Sequence, residues 1–262
     1  TRMARLPLGG GPHAYLPLPW RVSTGALRQP ALSTGSGAAI AAASAGAQDG
    51  AMDSSTDSPP PLPYGLTLCD DGLVRPTWAS HDELLRSYYD NEWGLPIHDE
   101  AGVFERLVLE GFQAGLSWRT VLAKRDAFRA AFQGFAPDTV AAFDQADVER
   151  LARDPGIIRN RRKIEAAVLN ARATIALRSS SGEHPSLSST HLGDLVWSYR
   201  PATDPRPSCA DEVPSQIPES VALAAALKRR GFCFVGPTTM LALMSAIGVV
   251  NTDIVGTHRR PH

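Results

Sequence analysis

Two segments decide how this chain folds: Y-Y-D-N-E-W-G-L-P at residues 88–96 and L-E-G-F-Q-A-G-L-S-W at residues 109–118. Together they bring aromatic rings, a carboxylate and a carboxamide close together along the chain. These side chains are Tyr88, Tyr89, Trp93, Glu110, Gln113 and Trp118. Flat aromatic faces beside hydrogen-bonding groups suit a site that stacks on a heterocycle and binds its edge.

The residues between the two segments have helical periodicity. From Asp99 onward, Val103, Leu107 and Glu110 recur at the spacing of one helix face. Glu110 therefore points toward the apolar side, where a carboxylate is costly unless it is hydrogen-bonded or lines a cavity. The residues alone favour a helix-end Glu satisfied by backbone N–H groups; the other interpretation is a site residue.

Helices are also predicted on the C-terminal side of these segments. Ser117 is a suitable N-cap for a helix with core positions from Trp118 to Phe132. Further helix starts are predicted at Pro137 and Asp147, a long helix after Ile164, and helices over Asp194–Tyr199, Pro218–Arg230 and Pro237–Ile247. Residues 179–190 read as a polar surface loop.

A tight hairpin at Asp154-Pro155-Gly156 separates two of these helices. The amides at the start of the following helix would point outward, and a basic run lies beside them, so the segment could seat a DNA phosphate. The residues concerned are Gly156, Ile158, Arg159, Arg161 and Lys163. The alternative is that the basic run is a solvated helix face.

Composition limits the classes of protein to which the chain can belong. The net charge of −1 excludes a generally basic protein, so any nucleic-acid contact must come from a local cluster. The three cysteines are widely spaced and form no C-x-x-C pair, which favours a reducing, intracellular setting. No apolar run approaches the roughly 20 residues that span a bilayer, so we expect no membrane association.

Residues 1–65 differ in composition from the rest. They are rich in Gly, Ala, Ser and Pro, and the first 48 carry arginines but no acidic residue. Transit peptides that direct proteins to organelles share this bias. The alternative is an unstructured tail, or an upstream extension that results from a misplaced start codon. We therefore divide the chain into a disordered or targeting extension, residues 1–65, and a helical domain, residues 66–262.

The motifs together resemble the 3-methyladenine DNA glycosylase I family. The resemblance rests on the two segments above and on D-P-G-I-I-R-N-R-x-K-I from Asp154 to Ile164, V-W-S from Val196 to Ser198, and K-R-R-G-F-C-F-V-G from Lys228 to Gly236. It extends from about Asp70 to about Pro261. It implies an all-α fold of the helix-hairpin-helix DNA glycosylase superfamily.

The resemblance also implies roles for individual residues. Glu110 matches the glutamate that binds the edge of the base, and the implied role favours the site interpretation. Residues that match the aromatic lining of the pocket, or lie beside it, are Tyr88, Trp93, Trp118, Trp78 and Gln113. Leu85 departs from the family, many members of which have a tyrosine there. No Asp follows the hairpin between Asn160 and Ser181, as expected for the 3-methyladenine type.

The family often binds a structural zinc, but this chain lacks the ligands. The matching positions hold Pro76, Tyr89, Asp253 and Thr257, of which only Asp253 has a side chain suited to zinc. His258 and Cys69 lie close in sequence to two of these positions. We therefore predict no metal and no cofactor, with the terminal segments of the domain joined by packing alone.

The resulting hypothesis is a monofunctional glycosylase that acts on double-stranded alkylated DNA, without cofactor, and releases free 3-methyladenine. The alternative is a non-catalytic module that binds alkylated bases or DNA. The enzyme is favoured by the presence of Glu110, Tyr88, Trp93 and Trp118.

A monomer is the default expectation for the oligomeric state. The location is the cytoplasm or nucleoid of a bacterium, or an organelle or nucleus if the extension is a transit peptide.

Overall fold

The computed structural model describes residues 61–179 and 191–261, which form a largely helical domain. The predictions for residues 1–60 and for the 180–190 loop lie outside the described residues. A short antiparallel hairpin comes first, with strands β1 (Leu66–Leu68) and β2 (Val74–Pro76). The helices follow in this order: α1 (Glu83–Asn91), α2 (Glu100–Gln113), α3 (Trp118–Leu122), α4 (Arg125–Ala131), α5 (Pro137–Ala141), α6 (Gln145–Arg153), α7 (Arg161–Ser179), α8 (Leu192–Trp197), α9 (Pro218–Arg229) and α10 (Pro237–Ala246).

Side-chain caps fix where the helices around the site begin. The carboxylate of Asp82 accepts from the Leu85 amide at the start of α1, at 3.1 Å. Ser117 caps α3 in the same way, as predicted, and Asp99 caps α2, where the sequence analysis predicted only that helical periodicity begins. Each cap satisfies an amide that has no partner within the helix. The chain direction entering the two key segments is therefore set locally.

Two features differ from the sequence-based prediction. The β1–β2 hairpin was not predicted, because its strands have only three residues each and give no clear alternation. The single helix predicted from Ser117 to Phe132 is divided into α3 and α4, because Lys124 leaves the helical conformation with φ −107° and ψ 3°. Its ammonium instead donates to the carbonyls of Pro155 and Gly156.

Helix α2 is the centre of the core. It packs against α7, α8 and α10, and its apolar residues Phe104, Leu107 and Phe112 are almost completely buried. A second, smaller cluster lies beside it and contains Tyr88, Tyr89 and Trp93. Because Glu110 belongs to α2, the architecture places its carboxylate at the boundary between these two clusters.

Helices α6 and α7 form the predicted helix-hairpin-helix element. The Gly156 amide donates to the Asp154 carboxylate at 2.7 Å, which closes the turn. A Cβ at position 156 would lie 3.1 Å from the Cβ of Ala127, so glycine lets the hairpin approach α4 closely. Within the described ranges, none of the helices combines the length and apolar character needed to cross a membrane.

Candidate functional site

The structure brings the aromatic residues of the two segments together. The rings of Tyr88 and Trp118 have centroids 5.3 Å apart, and those of Tyr88 and Trp93 are 6.1 Å apart. Trp78, from the turn after β2, lies 5.8 Å from Trp93. Leu85 packs at the edge of the same cluster, where an aliphatic side chain replaces the tyrosine of many family members.

Three short elements position these rings. Tyr88 lies on the buried face of α1 and is 2% exposed, whereas Trp93 follows the end of that helix. Trp118 is the first residue of α3. The next residue, Arg119, pairs with Asp82, the cap of α1. The ion pair ties the starts of α1 and α3 together and so keeps Trp118 beside Tyr88.

Glu110 is buried against this cluster. It is 3% exposed, and no hydrogen bond to its carboxylate is found within residues 61–179 and 191–261. Burial raises the pKa of Glu110 to about 8, and the charge of Arg106 acts in the opposite direction. The carboxylate also raises the pKa of Tyr88, although burial is the larger cause of that shift. Glu110 and Tyr88 therefore act on each other electrostatically.

Polar atoms on Tyr88 and on two of its neighbours are buried without a partner in the part of the chain that is described. They are the Tyr88 hydroxyl, the Trp118 indole N–H and the Arg106 Nε. Buried polar groups in folded proteins almost always have partners, so such groups require a specific reason. A polar ligand held between the rings would provide partners for the hydroxyl and the indole, and Glu110 could accept a hydrogen bond from it.

Gln113 occupies the last turn of α2, three residues beyond Glu110, and is half-buried. Its backbone carbonyl accepts from the Leu116 amide at 2.6 Å, which shapes the loop to Trp118. The carboxamide has no hydrogen bond among the described residues, so it stays a predicted contact of the substrate.

An ion-pair network that the sequence analysis did not predict lies behind Tyr88. Arg106 is 5% exposed and donates to Glu92 at 2.8 Å, and its guanidinium lies 5.9 Å from the centroid of the Tyr88 ring. Arg125 holds the same Glu92 through two hydrogen bonds of 2.6 and 2.7 Å. Burial opposes ionisation of Glu92, but the two arginines lower its pKa. The sequence signal was an arginine four residues before Glu110, on the same face of the helix.

The predicted DNA-binding residues have different surroundings. Arg159 is exposed and forms no hydrogen bond or ion pair with the described residues. Arg161 is also exposed and pairs with Glu149 of α6 at 2.8 Å. Gly156 and Ile158 lie in the turn itself, where Ile158 packs partly against the core. The exposed arginines can still reach a phosphate, so their role stays a prediction.

Lys163 does not have the exposure that a phosphate contact requires. It is 9% exposed, and its ammonium donates to the carbonyls of Phe112 and Ala114 at 2.9 and 2.6 Å. Burial lowers its pKa. The structure thus corrects the predicted DNA contact: Lys163 closes the C-terminal end of α2 and joins it to the hairpin.

The positions that match the zinc ligands of the family form a hydrogen-bonded cluster. The Tyr89 hydroxyl donates to one oxygen of Asp253 at 3.1 Å, and the Trp93 indole donates to the other at 3.2 Å. Pro76 and Thr257 are buried nearby. Pro76 has no ligand atom, and both Asp253 oxygens already accept hydrogen bonds, so these residues do not fit a tetrahedral zinc site.

The prediction that packing alone joins the terminal segments is wrong. Besides the Asp253 contacts, Arg259 donates to the carbonyls of Tyr89 and Trp93, and the His258 amide donates to the Val74 carbonyl at 2.8 Å. Polar groups buried between the segments need these partners, which apolar packing cannot supply. We call Tyr89, Trp93, Asp253 and Arg259 the terminal clasp.

The two shifted candidates for zinc also have other partners. The His258 ring contacts the Val74 carbonyl at 3.1 Å and Asp90 at 3.4 Å, while the Cys69 thiol lies 3.9 Å from the Thr67 carbonyl. In the ranges that the structure describes, no group of three or more His, Cys, Asp or Glu side chains is arranged to hold a metal. That no zinc is bound stays a prediction.

Comparison with known proteins gives one consistent family. Residues 78–260 match the family model described as methyladenine glycosylase. DNA-3-methyladenine glycosylase 1 of Escherichia coli K12 is 46% identical over 182 residues, which are 68% of this chain and 92% of that protein. The DNA-3-methyladenine glycosylase of Haemophilus influenzae is 39% identical over 184 residues, 69% of this chain and 95% of that protein. A crystal structure of 3-methyladenine DNA glycosylase I is 44% identical, covers 71% of this chain and 98% of its own, and has a TM-score of 0.65.

Proposed function

The chain belongs to the methyladenine glycosylase family, and from this membership we propose that it is a DNA glycosylase that hydrolyses the N-glycosidic bond of 3-methyladenine in alkylated DNA. The observation that carries the proposal is the buried carboxylate of Glu110, which acts electrostatically on Tyr88, the residue whose ring packs against Trp118. Removal of the base would begin excision repair of the damaged nucleotide.

The arrangement suits a cationic base turned out of the duplex. Adenine methylated at N3 carries a positive charge in DNA, and aromatic faces attract cations. Tyr88 and Trp118 would hold the flipped base by stacking, as glycosylases do after extrusion. Glu110 would accept a hydrogen bond from the edge of the base. A neutral adenine would gain less from both contacts, which supports selectivity for alkylated purines.

The cationic base also reduces the chemistry required of the protein. Cleavage breaks the bond between the base nitrogen and C1′ of the deoxyribose, and the electron pair leaves with the base, which becomes neutral. Water supplies the hydroxyl at C1′ and releases a proton. No general acid is needed to protonate the leaving group. The residues therefore act chiefly by binding and orienting the nucleotide.

Contact with double-stranded DNA is assigned to the hairpin between α6 and α7. Arg159 and Arg161 are exposed there, and backbone amides at the start of α7 can bind a phosphate. Lys124 and Lys163 link the hairpin to the rest of the domain through four carbonyl contacts. The phosphate would thus be bound at a fixed distance from Glu110.

We further propose that the chain acts as a monomer, without cofactor, inside the cell, where its DNA substrate is found. The three cysteines carry no disulfide, in agreement with a reducing compartment.

Imaging of residues 1–65 fused to a fluorescent protein would test the compartment. An import pattern would favour the transit-peptide interpretation, and a diffuse signal would contradict it.

Release of free 3-methyladenine from methylated DNA tests the function. The wild-type protein should release the base, and Glu110→Gln should reduce the rate by at least about 100-fold, because the carboxamide, at nearly constant volume, cannot ionise beside the cationic base. Glu100→Gln is the matched control, since Glu100 is at the opposite end of α2 and pairs with Arg178. If the wild-type protein binds methylated DNA but releases no base, the enzyme proposal fails and the binding module replaces it.

A further inference from the structure

Arg106 is a buried charged residue of α2 that the proposed chemistry does not yet use. It lies one helical turn before Glu110 on α2, so the two side chains share one face of the helix. It is 5% exposed, and its guanidinium lies near the face of Tyr88, the ring that Glu110 also affects. Burying an arginine is costly, and its location points to a role in the site.

The ion pairs around Arg106 show that it is an extra cation. Arg125 binds Glu92 through both carboxylate oxygens, and Arg129 binds Glu105 at 2.9 Å. Arg106 adds single contacts to each of these carboxylates, 2.8 Å to Glu92 and 3.2 Å to Glu105. Each of the two acids thus already has an arginine of its own. Glu110, by contrast, has no hydrogen-bonding cation in the described ranges.

We propose that Arg106 is a positioning residue, whose buried positive charge favours the ionised form of Glu110 and so prepares the site for a cationic base. The inference rests on the proposed function. The charged and titratable groups at this place come from three helices and the segment after α1: Arg106, Glu105 and Glu110 of α2, Tyr88 of α1, Glu92 after α1, and Arg125 and Arg129 of α4. Of these, Arg106 lies one turn from Glu110 on the same helix face, and its charge opposes the rise in the pKa of Glu110 that burial causes.

The Nε atom of Arg106 gives a second, geometric reason to assign this residue a role in the site. It is buried and has no partner within the described residues, although both terminal nitrogens are bound to carboxylates. If stability alone determined the position, an unbranched apolar side chain would avoid that unsatisfied donor. The charge is retained at a cost, which is expected for a residue that tunes a neighbouring functional group.

The test is the pH dependence of kcat/KM on methylated DNA in the variants Arg106→Met, Arg106→Lys and Arg129→Met. Loss of the charge in Arg106→Met should move the rise of kcat/KM with pH about one pH unit higher. At pH 7 the variant should therefore have about tenfold lower kcat/KM than wild type, and at high pH the two values should be equal. Arg106→Lys should restore the wild-type profile. Arg129→Met, which removes a partly exposed partner of Glu105, should leave the profile in place.

A direct titration keeps this inference separate from the enzyme proposal. Carbon-13 labelling of the glutamates, with Glu110→Gln to assign the signal, reports the titration of Glu110 whether or not the protein releases a base. The signal should titrate about one unit higher in Arg106→Met and as in wild type in Arg106→Lys. An unchanged titration in Arg106→Met, or the same shift in Arg129→Met, would overturn the role assigned to Arg106.

Discussion

At the scale of the residue, Glu110 couples the function of the site to the stability of the fold. Its folded pKa is raised to about 8 from the ordinary value of 4.5. Between these values the folded protein keeps a proton that the unfolded chain has lost. The stabilisation from this group is therefore complete below about pH 4.5 and is lost as the pH rises to 8.

Glu110→Gln should abolish that pH dependence, because the carboxamide does not titrate. From pH 5 to pH 8, the wild-type protein should lose on the order of 3 kcal/mol of unfolding free energy relative to the variant. Urea unfolding of both proteins at the two pH values measures it. Parallel curves would mean that Glu110 titrates normally and that its burial has been overestimated.

Two tryptophans of the domain offer a matched comparison. The Trp118 indole N–H has no partner among the described residues, whereas that of Trp197 donates to the Ile97 carbonyl at 2.7 Å. Trp118→Phe should change stability by less than about 1 kcal/mol and reduce kcat/KM about tenfold, because only a substrate contact is lost. Trp197→Phe should cost about 1 to 2 kcal/mol of stability and leave kcat/KM unchanged. The reverse pattern would place the substrate elsewhere.

The aromatic residues of the site were predictable from sequence, but their electrostatic surroundings were not. Tyr88, Trp93 and Trp118 were predicted to lie together because aromatic residues beside a carboxylate are a recognisable pattern, and the structure brings their rings together. Arg106 was not, since periodicity cannot show whether a charge in an apolar helix is buried or extends to solvent. Lys163 was misassigned for the same reason: a basic run in sequence does not show which side chain turns inward.

At the scale of the element, the hairpin between α6 and α7 combines an exposed arginine with a buried lysine. Arg159→Gln should leave stability unchanged and weaken DNA binding, with the salt dependence of log K reduced by about one unit of slope. Lys163→Met should cost about 2 to 3 kcal/mol in unfolding free energy, because two carbonyls at the end of α2 lose a charged donor. Urea unfolding and DNA titrations at several salt concentrations separate the two. Equal effects of both substitutions on the salt slope would restore Lys163 as a phosphate contact.

The element boundaries show where sequence patterns suffice. Ser117 was correctly predicted as a cap and Asp99 as the start of helical periodicity, since a capping side chain acts on amides two or three residues away. The break between α3 and α4 was not predicted, because it depends on Lys124 reaching the hairpin about thirty residues further along the chain. Local signals define helix starts well, whereas interruptions that depend on distant contacts leave no local signal.

At the scale of the whole molecule, the terminal clasp joins the two ends of the domain by hydrogen bonds at the positions that match the zinc ligands of the family. A double-mutant cycle of Tyr89→Phe and Asp253→Asn should give a coupling energy of about 1 to 2 kcal/mol, because the two side chains share one buried hydrogen bond. Chelator treatment should leave the Tm of the wild-type protein unchanged. Zinc at unit stoichiometry in the purified protein, or a fall in Tm with chelator, would contradict the prediction of a metal-free fold.

The clasp has a consequence for any shortening of this protein at its C-terminal end. Arg259 holds the main-chain carbonyls of Tyr89 and Trp93, so removing the last few residues would free the segment that carries Trp93 while Glu110, Tyr88 and Trp118 are still present. A proteolytic nick or a premature stop codon at that point would therefore act as an inactivating lesion far from the damaged nucleotide.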